Sequence, residues 1–187
     1  MKKLASHIKS WVGLLPQTSL WEHTLVQSFC MSWGIALAAQ IKLPFYPVPM
    51  VMSDWAIMLA ALVASPRVAV KAVLLYLGYA VLGLPVLAGS ITGPAIFTIP
   101  TAGYLLGYIL MAGTISFLVQ RYPRSNFWVR FGFVLCGSVL LFALGLAWLT
   151  HLLGYKTALQ AGLYPFVGTA LTKAALAAYL SLYLRKE

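Results

Sequence analysis

The sequence TALQAGLYPFVGTALTKAALAAYLSLYL spans residues 157–184 and contains one charged residue, Lys173. About 20 consecutive apolar residues cross the hydrocarbon core of a bilayer, so this run predicts a membrane-spanning helix. A lysine inside such a helix costs roughly 2.5–3.5 kcal/mol on insertion scales. Such a charge is kept either for a partner, a ligand or a transport pathway, or as a lysine whose stem lies in lipid while its ammonium reaches the interface.

The composition of the chain agrees with a membrane protein. The 187 residues are 61% hydrophobic and 9% charged, whereas soluble domains carry about 25% charged residues. The only acidic residues are Glu22, Asp54 and Glu187, and 13 Lys and Arg residues bring the net charge to +10. The basic residues lie at the ends of apolar runs. They therefore indicate membrane topology and contacts with anionic lipid headgroups rather than nucleic-acid binding.

We predict an all-α integral membrane protein in which residues 1–187 form a single membrane domain built as a six-helix bundle. Residues 1–22 are expected to be a cytoplasmic or interfacial extension. The second span is too short to cross a bilayer alone and needs help from neighbouring structure, tilt or local thinning. Prolines on both sides prevent it from continuing into its neighbours as one helix. The predicted spans are about 24–43, 53–64, 68–84, 99–119, 131–151 and 162–184.

The distribution of lysine and arginine orients this bundle. One side holds only Lys42 and Lys156, and almost all the other basic residues lie on the opposite side. Because cytoplasmic loops carry the excess of positive charge, both termini are predicted to be cytoplasmic. Two long loops then face outward, a proline-rich one at residues 42–52 and an uncharged one at residues 85–98. Irregular backbone at membrane depth must be buried or line a cavity, so we expect these loops to cover a ligand cavity.

The residue supply excludes several activities. The sequence has no G-x-x-x-x-G-K-[ST] and no G-x-S-x-G motif, and its three histidines are not at metal-ligand spacing. Asp54 is the only carboxylate at membrane level, so a catalytic pair of acids cannot form. We therefore expect no enzyme activity, no metal and no cofactor.

A polar and aromatic set lies at the predicted outer ends of the spans. Phe166, Thr169 and Lys173 share one helix face, being at positions i, i+3 and i+7. A mostly apolar cavity with a few polar groups and one cation suits a small amphipathic carboxylate. Taken singly, each tyrosine could instead belong to an aromatic belt at the interface. The candidate binding residues are Ser53, Asp54, Gly89, Ser90, Thr101, Tyr104, Phe166, Thr169 and Lys173.

At these residues the chain resembles the BioY family, the biotin-binding S component of energy-coupling-factor (ECF) transporters. The resemblance extends over most of the chain, at residues 43–178. The segments that carry it are Leu-Pro-Phe-Tyr-Pro-Val-Pro at 43–49, Ser-Pro-Arg at 65–67, Leu-Leu-Tyr-Leu at 74–77, Gly-Leu-Pro-Val-Leu-Ala-Gly at 83–89, Pro-Thr-Ala-Gly-Tyr-Leu-Leu-Gly-Tyr at 100–108 and Tyr-Pro-Phe…Lys at 164–173.

The resemblance implies six helices, with biotin held under loops near the outer face of the bacterial cytoplasmic (inner) membrane. It also implies a coupling module made of a transmembrane scaffold subunit and two cytoplasmic ATPases. Small residues at four-residue spacing let helices approach closely. Gly34 and Ala38 on the first span are candidates for the scaffold contact, and Gly103 and Gly107 form a similar pair on the fourth.

The chain departs from the family in the sixth span, where the family usually carries Gly-Asp followed by Lys three residues after the Asp. Here Thr169 and Ala170 precede Lys173, so the acid is absent. Either Asp54 replaces it, as the buried partner or as the acceptor of the ureido ring while Lys173 pairs the ligand carboxylate, or Asp54 caps the second span. Two other functions stay open, namely an S component for a different vitamin or carboxylate and a membrane assembly subunit without a ligand.

Overall fold

The computed structural model describes residues 20–43, 48, 50–89 and 91–184. Most of the predicted extension and Ser90 therefore lie outside the described residues. Within the described part the chain forms α-helices joined by a short hairpin and one 3₁₀ helix. The elements are α1 (Leu20–Ala39), β1 (Lys42–Leu43), β2 (Met50–Val51), α2 (Ser53–Val63), α3 (Pro66–Val81), the 3₁₀ helix Gly93–Phe97, α4 (Ala102–Arg121), α5 (Phe127–Leu153), α6 (Tyr155–Gly162) and α7 (Tyr164–Leu184).

Helix α1 ends before the limit of the first predicted span. The helix stops at Ala39, and Lys42–Leu43 pairs antiparallel with Met50–Val51 instead of extending it. Leu43 precedes Pro44 in the sequence, and a residue before proline is disfavoured in the helical region. The pairing of β1 with β2 thus brings the two ends of the proline-rich connection together, and α2 begins two residues after β2.

The last connection also differs from the sequence-based expectation. The predicted fifth span ends near residue 151 and the sixth begins near residue 162, but α5 runs on to Leu153 and the connection itself is helical as α6. Gly154 separates α5 from α6 with φ of 81°, a conformation that glycine adopts without steric cost. At the other end of α5, the side chain of Asn126 accepts a hydrogen bond from Val129 N at 3.1 Å and caps the helix.

Within the part of the chain that the structure describes, three helical stretches are long and apolar enough to cross a membrane. They are Ala102–Arg121, Phe127–Leu153 and the nearly continuous Tyr155–Leu184, and two shorter apolar helices accompany them, Thr24–Ala39 and Ser53–Val63. Exposed large hydrophobic side chains occur on every long helix. In a membrane protein such side chains face lipid, and the chain is a multi-pass membrane protein.

The most extensive helix interface joins α4 to α5. A Cβ atom at Gly103 would lie 2.5 Å from Leu144 O, and one at Gly107 would lie 3.0 Å from Leu141 O. This small-residue pair therefore packs within the chain. By contrast, a Cβ atom at Gly34 would meet nothing within 4 Å, so this residue of α1 leaves open space beside it.

Arg130 joins α5 to α7 at the end of the bundle away from the long loops. The residue is buried, and its Nη1 donates to Ser181 O at 2.8 Å and to Ser181 Oγ at 3.0 Å. Its Nε donates to Ser125 O at 3.2 Å. One guanidinium thus connects the start of α5, the loop before it and the last turns of α7.

We expect Arg130→Ala to lower the free energy of unfolding by about 2 kcal/mol, because it removes charge-assisted hydrogen bonds to buried acceptors. Arg130→Lys should recover only part of this loss, since an ammonium cannot reproduce the guanidinium fork. Thermal unfolding in detergent measures both. Arg124→Ala is the matched control, because Arg124 is exposed, and an equal loss in the two alanine variants would contradict the structural role of Arg130.

Candidate binding site

Lys173 forms an ion pair with Asp54 inside the bundle. The Lys173 Nζ atom lies 2.8 Å from Asp54 Oδ1 and 3.0 Å from Oδ2, and it also donates to Val51 O at 2.6 Å. The side chains are 10% and 19% exposed. The lone lysine of α7 therefore turns inward to an acid of α2. It does not extend through lipid to the interface.

The hairpin and the start of α2 position this carboxylate. Asp54 lies in the first turn of α2, where a negative charge interacts favourably with the helix dipole. Its Oδ1 accepts a hydrogen bond from the backbone N–H of Trp55 at 2.8 Å. The N-cap residue of α2 is Met52, which makes no side-chain cap hydrogen bond. Asp54 thus pairs with Lys173 and is not the N-cap residue of α2, and its role toward a ligand stays a prediction.

A cavity opens beside the ion pair, between the helices and the uncharged loop. It encloses about 740 Å³ of empty space, counting the part that is open to solvent. Six of the candidate residues line it, and Ala170, which stands where the family usually carries aspartate, lines it too. The lining residues are Val48, Val51, Ser53, Asp54, Tyr76, Leu87, Ala88, Ile99, Thr101, Tyr104, Leu105, Tyr108, Leu141, Phe142, Phe166, Thr169 and Ala170.

The hydroxyl groups around the cavity are partly committed to the protein. Tyr104 OH donates to Gly162 O at 2.9 Å and holds α4 against the end of α6. Ser53 Oγ and Tyr108 OH lie 3.3 Å apart and can exchange donor and acceptor roles. Thr169 Oγ1 donates to the backbone of Phe166 at 3.1 Å. The Ser53–Tyr108 pair can therefore turn a hydroxyl toward a ligand, and Ser53 directly precedes Asp54 in the chain.

The uncharged loop packs back onto the bundle, as the sequence predicts. Gln40 at the end of α1 donates to Val86 O at 3.2 Å, and Trp148 of α5 donates to Ile99 O at 2.9 Å. Leu87 is buried and also lines the cavity. The loop is thus tied at both of its ends, and its apolar side chains close one wall of the cavity.

Three of the candidate residues do not line the cavity or cannot be placed. Lys173 lies behind Asp54 and is not among the lining residues. Gly89 directly follows the lining residues Leu87 and Ala88 and has a φ of 94°, but it is not itself among the lining residues. Ser90 lies outside the described residues.

Sequence reasoning missed several lining residues, and for one of them a signal was available. Tyr108 continues the spacing of Thr101 and Tyr104 at i, i+3 and i+7, the same spacing that connects Phe166 to Lys173. Tyr76 carries a polar group in the middle of an apolar helix, which is a weaker signal. The α5 residues Leu141 and Phe142 are apolar residues in an apolar span, so no pattern distinguishes them from lipid-facing neighbours.

The chemistry of this cavity is that of a binding site. Among the described residues no group of histidine, cysteine or acidic side chains could hold a metal ion. The lining offers one carboxylate, a few hydroxyls and mostly apolar or aromatic surface. Such a site suits a small, largely apolar ligand with a compact hydrogen-bonding group.

Comparison with known proteins finds relatives of this chain. The model of the BioY family matches residues 12–187. The biotin transporter BioY of Rhizobium etli is 35% identical over 155 residues, covering 79% of this chain and 83% of the relative. The biotin transporter BioY of Thermotoga maritima is 31% identical over 153 residues, covering 81% and 89%.

A solved structure extends the similarity to the fold. The S-component for biotin from an ECF-type ABC transporter has a TM-score of 0.80 against this chain, at 27% sequence identity. The match covers 91% of this chain and 95% of that one. The helical arrangement described above is therefore the fold of an ECF S-component.

Proposed function

This chain belongs to the BioY family, and on that premise we propose that it binds biotin at the outer side of the membrane and delivers it to the cytoplasm with an energy-coupling module. Biotin uptake is its function, and biotin is its substrate. The chain is a transport component and not an enzyme, and no cofactor takes part in its function.

The observation that carries this proposal is the polar centre of the cavity. Asp54 and Lys173 meet at the wall of a mostly apolar space, with the Ser53 and Tyr108 hydroxyls close by. Biotin combines an apolar ring and chain with a ureido group whose N–H groups need acceptors and whose C=O needs donors. We propose that Ser53, Asp54, Thr101, Tyr104, Phe166 and Thr169 form the site, with Lys173 behind Asp54 and with Gly89 and Ser90 in the loop that covers it.

The proposed topology has six spans and both termini in the cytoplasm of a bacterium, with the chain in its cytoplasmic (inner) membrane. Lys42 in the hairpin and Lys156 in α6 are at the end of the bundle that carries the long loops, and Arg121 and Arg124 are at the other end. This asymmetry favours an outward orientation for the loops and the cavity.

The proposed partners are an ECF transmembrane scaffold subunit, two cytoplasmic ATPases and membrane lipids, with no nucleic acid. Transport needs an energy source, and the sequence has no P-loop of its own. The open space beside Gly34 and the half-buried Ala38 make this face of α1 our candidate for the scaffold contact. A helix of the scaffold could approach closely there, because no side chain intervenes.

The direct test is thermal stabilisation of the detergent-purified protein by biotin. Ligand at a hundred times its Kd stabilises the folded state by about 2.7 kcal/mol, so we expect a clear rise in Tm. Ala170→Phe should abolish the rise, because a ring at this lining position would occupy space that the ligand needs. Val167→Phe is the matched control, since Val167 lies three residues earlier on α7 and is 44% exposed.

The other functions considered give different results in the same assay. A rise in Tm with lipoate, thiamine or riboflavin but none with biotin would show an S component for another vitamin. No rise with any ligand would contradict a capture function and favour an assembly subunit. A rise with biotin that persists in Ala170→Phe would show that biotin binds elsewhere.

A further inference from the structure

The closed ion pair keeps the ammonium of Lys173 away from the cavity. A lysine ammonium has three N–H donors and no acceptor. Three oxygens lie within hydrogen-bond distance of Nζ, namely Val51 O and the two carboxylate oxygens of Asp54. Lys173 is 8% exposed and does not line the cavity. A ligand carboxylate would have to displace Asp54 before it could reach this cation.

Asp54, by contrast, lines the cavity and can accept a further hydrogen bond. An ionised carboxylate offers about four lone-pair sites. The backbone N–H of Trp55 and the two contacts from Lys173 use three of them. The charged group that a ligand meets in this cavity is therefore an acceptor. No lysine, arginine or histidine is among the residues found to line it.

The two ends of biotin cannot both bind at this ion pair. The ureido group and the carboxylate are separated by a fused two-ring system and a chain of methylene groups, whereas Asp54 and Lys173 are in direct contact. One end of the ligand reaches the pair and the other lies far from it. An N–H donor fits the free acceptor site of Asp54, and a second carboxylate there would be repelled by the first.

We propose, building on the proposed function, that Asp54 accepts a ureido N–H of biotin while the Asp54–Lys173 pair stays closed, and that the site does not recognise the ligand's carboxylate. The Ser53 and Tyr108 hydroxyls are available to donate to the ureido C=O. The carboxylate then stays in contact with water at the open side of the cavity. The substrate class is consequently broader than free biotin and includes its amides, such as biotin joined to the side chain of a lysine.

The test compares the Kd values of three ligands for the wild-type protein, measured by calorimetry or thermal shift in detergent. The ligands are biotin, biotin amide and biotin methylated on a ureido nitrogen. We expect biotin amide to bind within about threefold of biotin, because neither the charge nor the shape of its carboxyl end is recognised. The N-methylated ligand should bind about ten- to a hundredfold more weakly, since it loses a hydrogen bond to a charged group.

Each outcome decides between two positions of the ligand. A loss of tenfold or more for the amide would overturn the proposal and show that the carboxylate displaces Asp54 from Lys173. Unchanged binding of the N-methylated ligand would also overturn it. The ratio of the Kd of biotin amide to the Kd of biotin, both for the wild-type protein, does not depend on how much of the protein is folded. If biotin itself does not bind, the proposed function fails separately.

Discussion

Replacing Lys173 by methionine should lower the free energy of unfolding by about 3–5 kcal/mol, because it leaves the buried carboxylate of Asp54 without its partner. Methionine keeps most of the volume of the lysine stem, so the loss comes from charge and hydrogen bonding rather than from a cavity. The pair is mostly removed from solvent, with side chains 10% and 19% exposed, so water compensates little. Thermal or chemical unfolding in detergent measures the effect.

The double variant Asp54→Asn/Lys173→Met makes this prediction specific. Removing both charges should recover most of the stability lost in either single variant, since an uncompensated charge costs more than a missing pair. Lys156→Met is the control for loss of a cation, because Lys156 of α6 is exposed. Additive losses in the double variant would show that the two residues act independently, and the ion pair would then not be the source of the effect.

Gly103→Ala and Gly107→Ala should each destabilise the protein, by about 1–3 kcal/mol, because they introduce a methyl group where α4 meets α5. At Gly103 the added Cβ would lie 2.5 Å from Leu144 O and 3.2 Å from Gly145 Cα. These are backbone atoms, so no side chain can rotate away and the helices must separate. Replacing glycine by alanine also raises helix propensity, which alone would stabilise the protein. A net loss of stability would therefore have to come from the new contacts.

Gly34→Ala provides the matched control on α1. It brings the same gain in helix propensity, and the new Cβ would meet nothing within 4 Å. We therefore expect the melting temperature to stay the same or rise slightly in Gly34→Ala and to fall in the two α4 variants. A fall of similar size in all three would mean that loss of glycine, and not helix contact, is responsible.

Local sequence patterns predicted the features that depend on one segment. The apolar runs located the helices, because membrane-spanning backbone must satisfy its hydrogen bonds within a segment. The spacing of Phe166, Thr169 and Lys173 placed these residues on one face of α7, since helical geometry is independent of the rest of the fold. At the end of α1, where the boundary depends on the pairing of β1 with a later strand, the sequence pattern did not predict the hairpin.

The features that join distant segments were beyond the reach of local pattern. Lys173 and Asp54 are 119 residues apart in sequence, and no local spacing connects them. Asp54 became a candidate partner because it is the only carboxylate at membrane level and because the acid usual in the family is absent. Local pattern also did not identify Leu141 and Phe142, because these residues line the cavity only through the packing of α5 beside α4. A periodic pattern identifies the face of a helix but not the neighbour that the face meets.

The sequence alone determined that Lys173 is a charged residue inside an apolar helix, and such a charge is energetically costly in any fold. From this cost a partner or a ligand was expected, and the tertiary structure decided which residue is the partner. It brings the start of α2 against the middle of α7, so that an acid and a backbone carbonyl accept hydrogen bonds from the ammonium. This contact turns an expected cation site into a site whose accessible charge is a carboxylate.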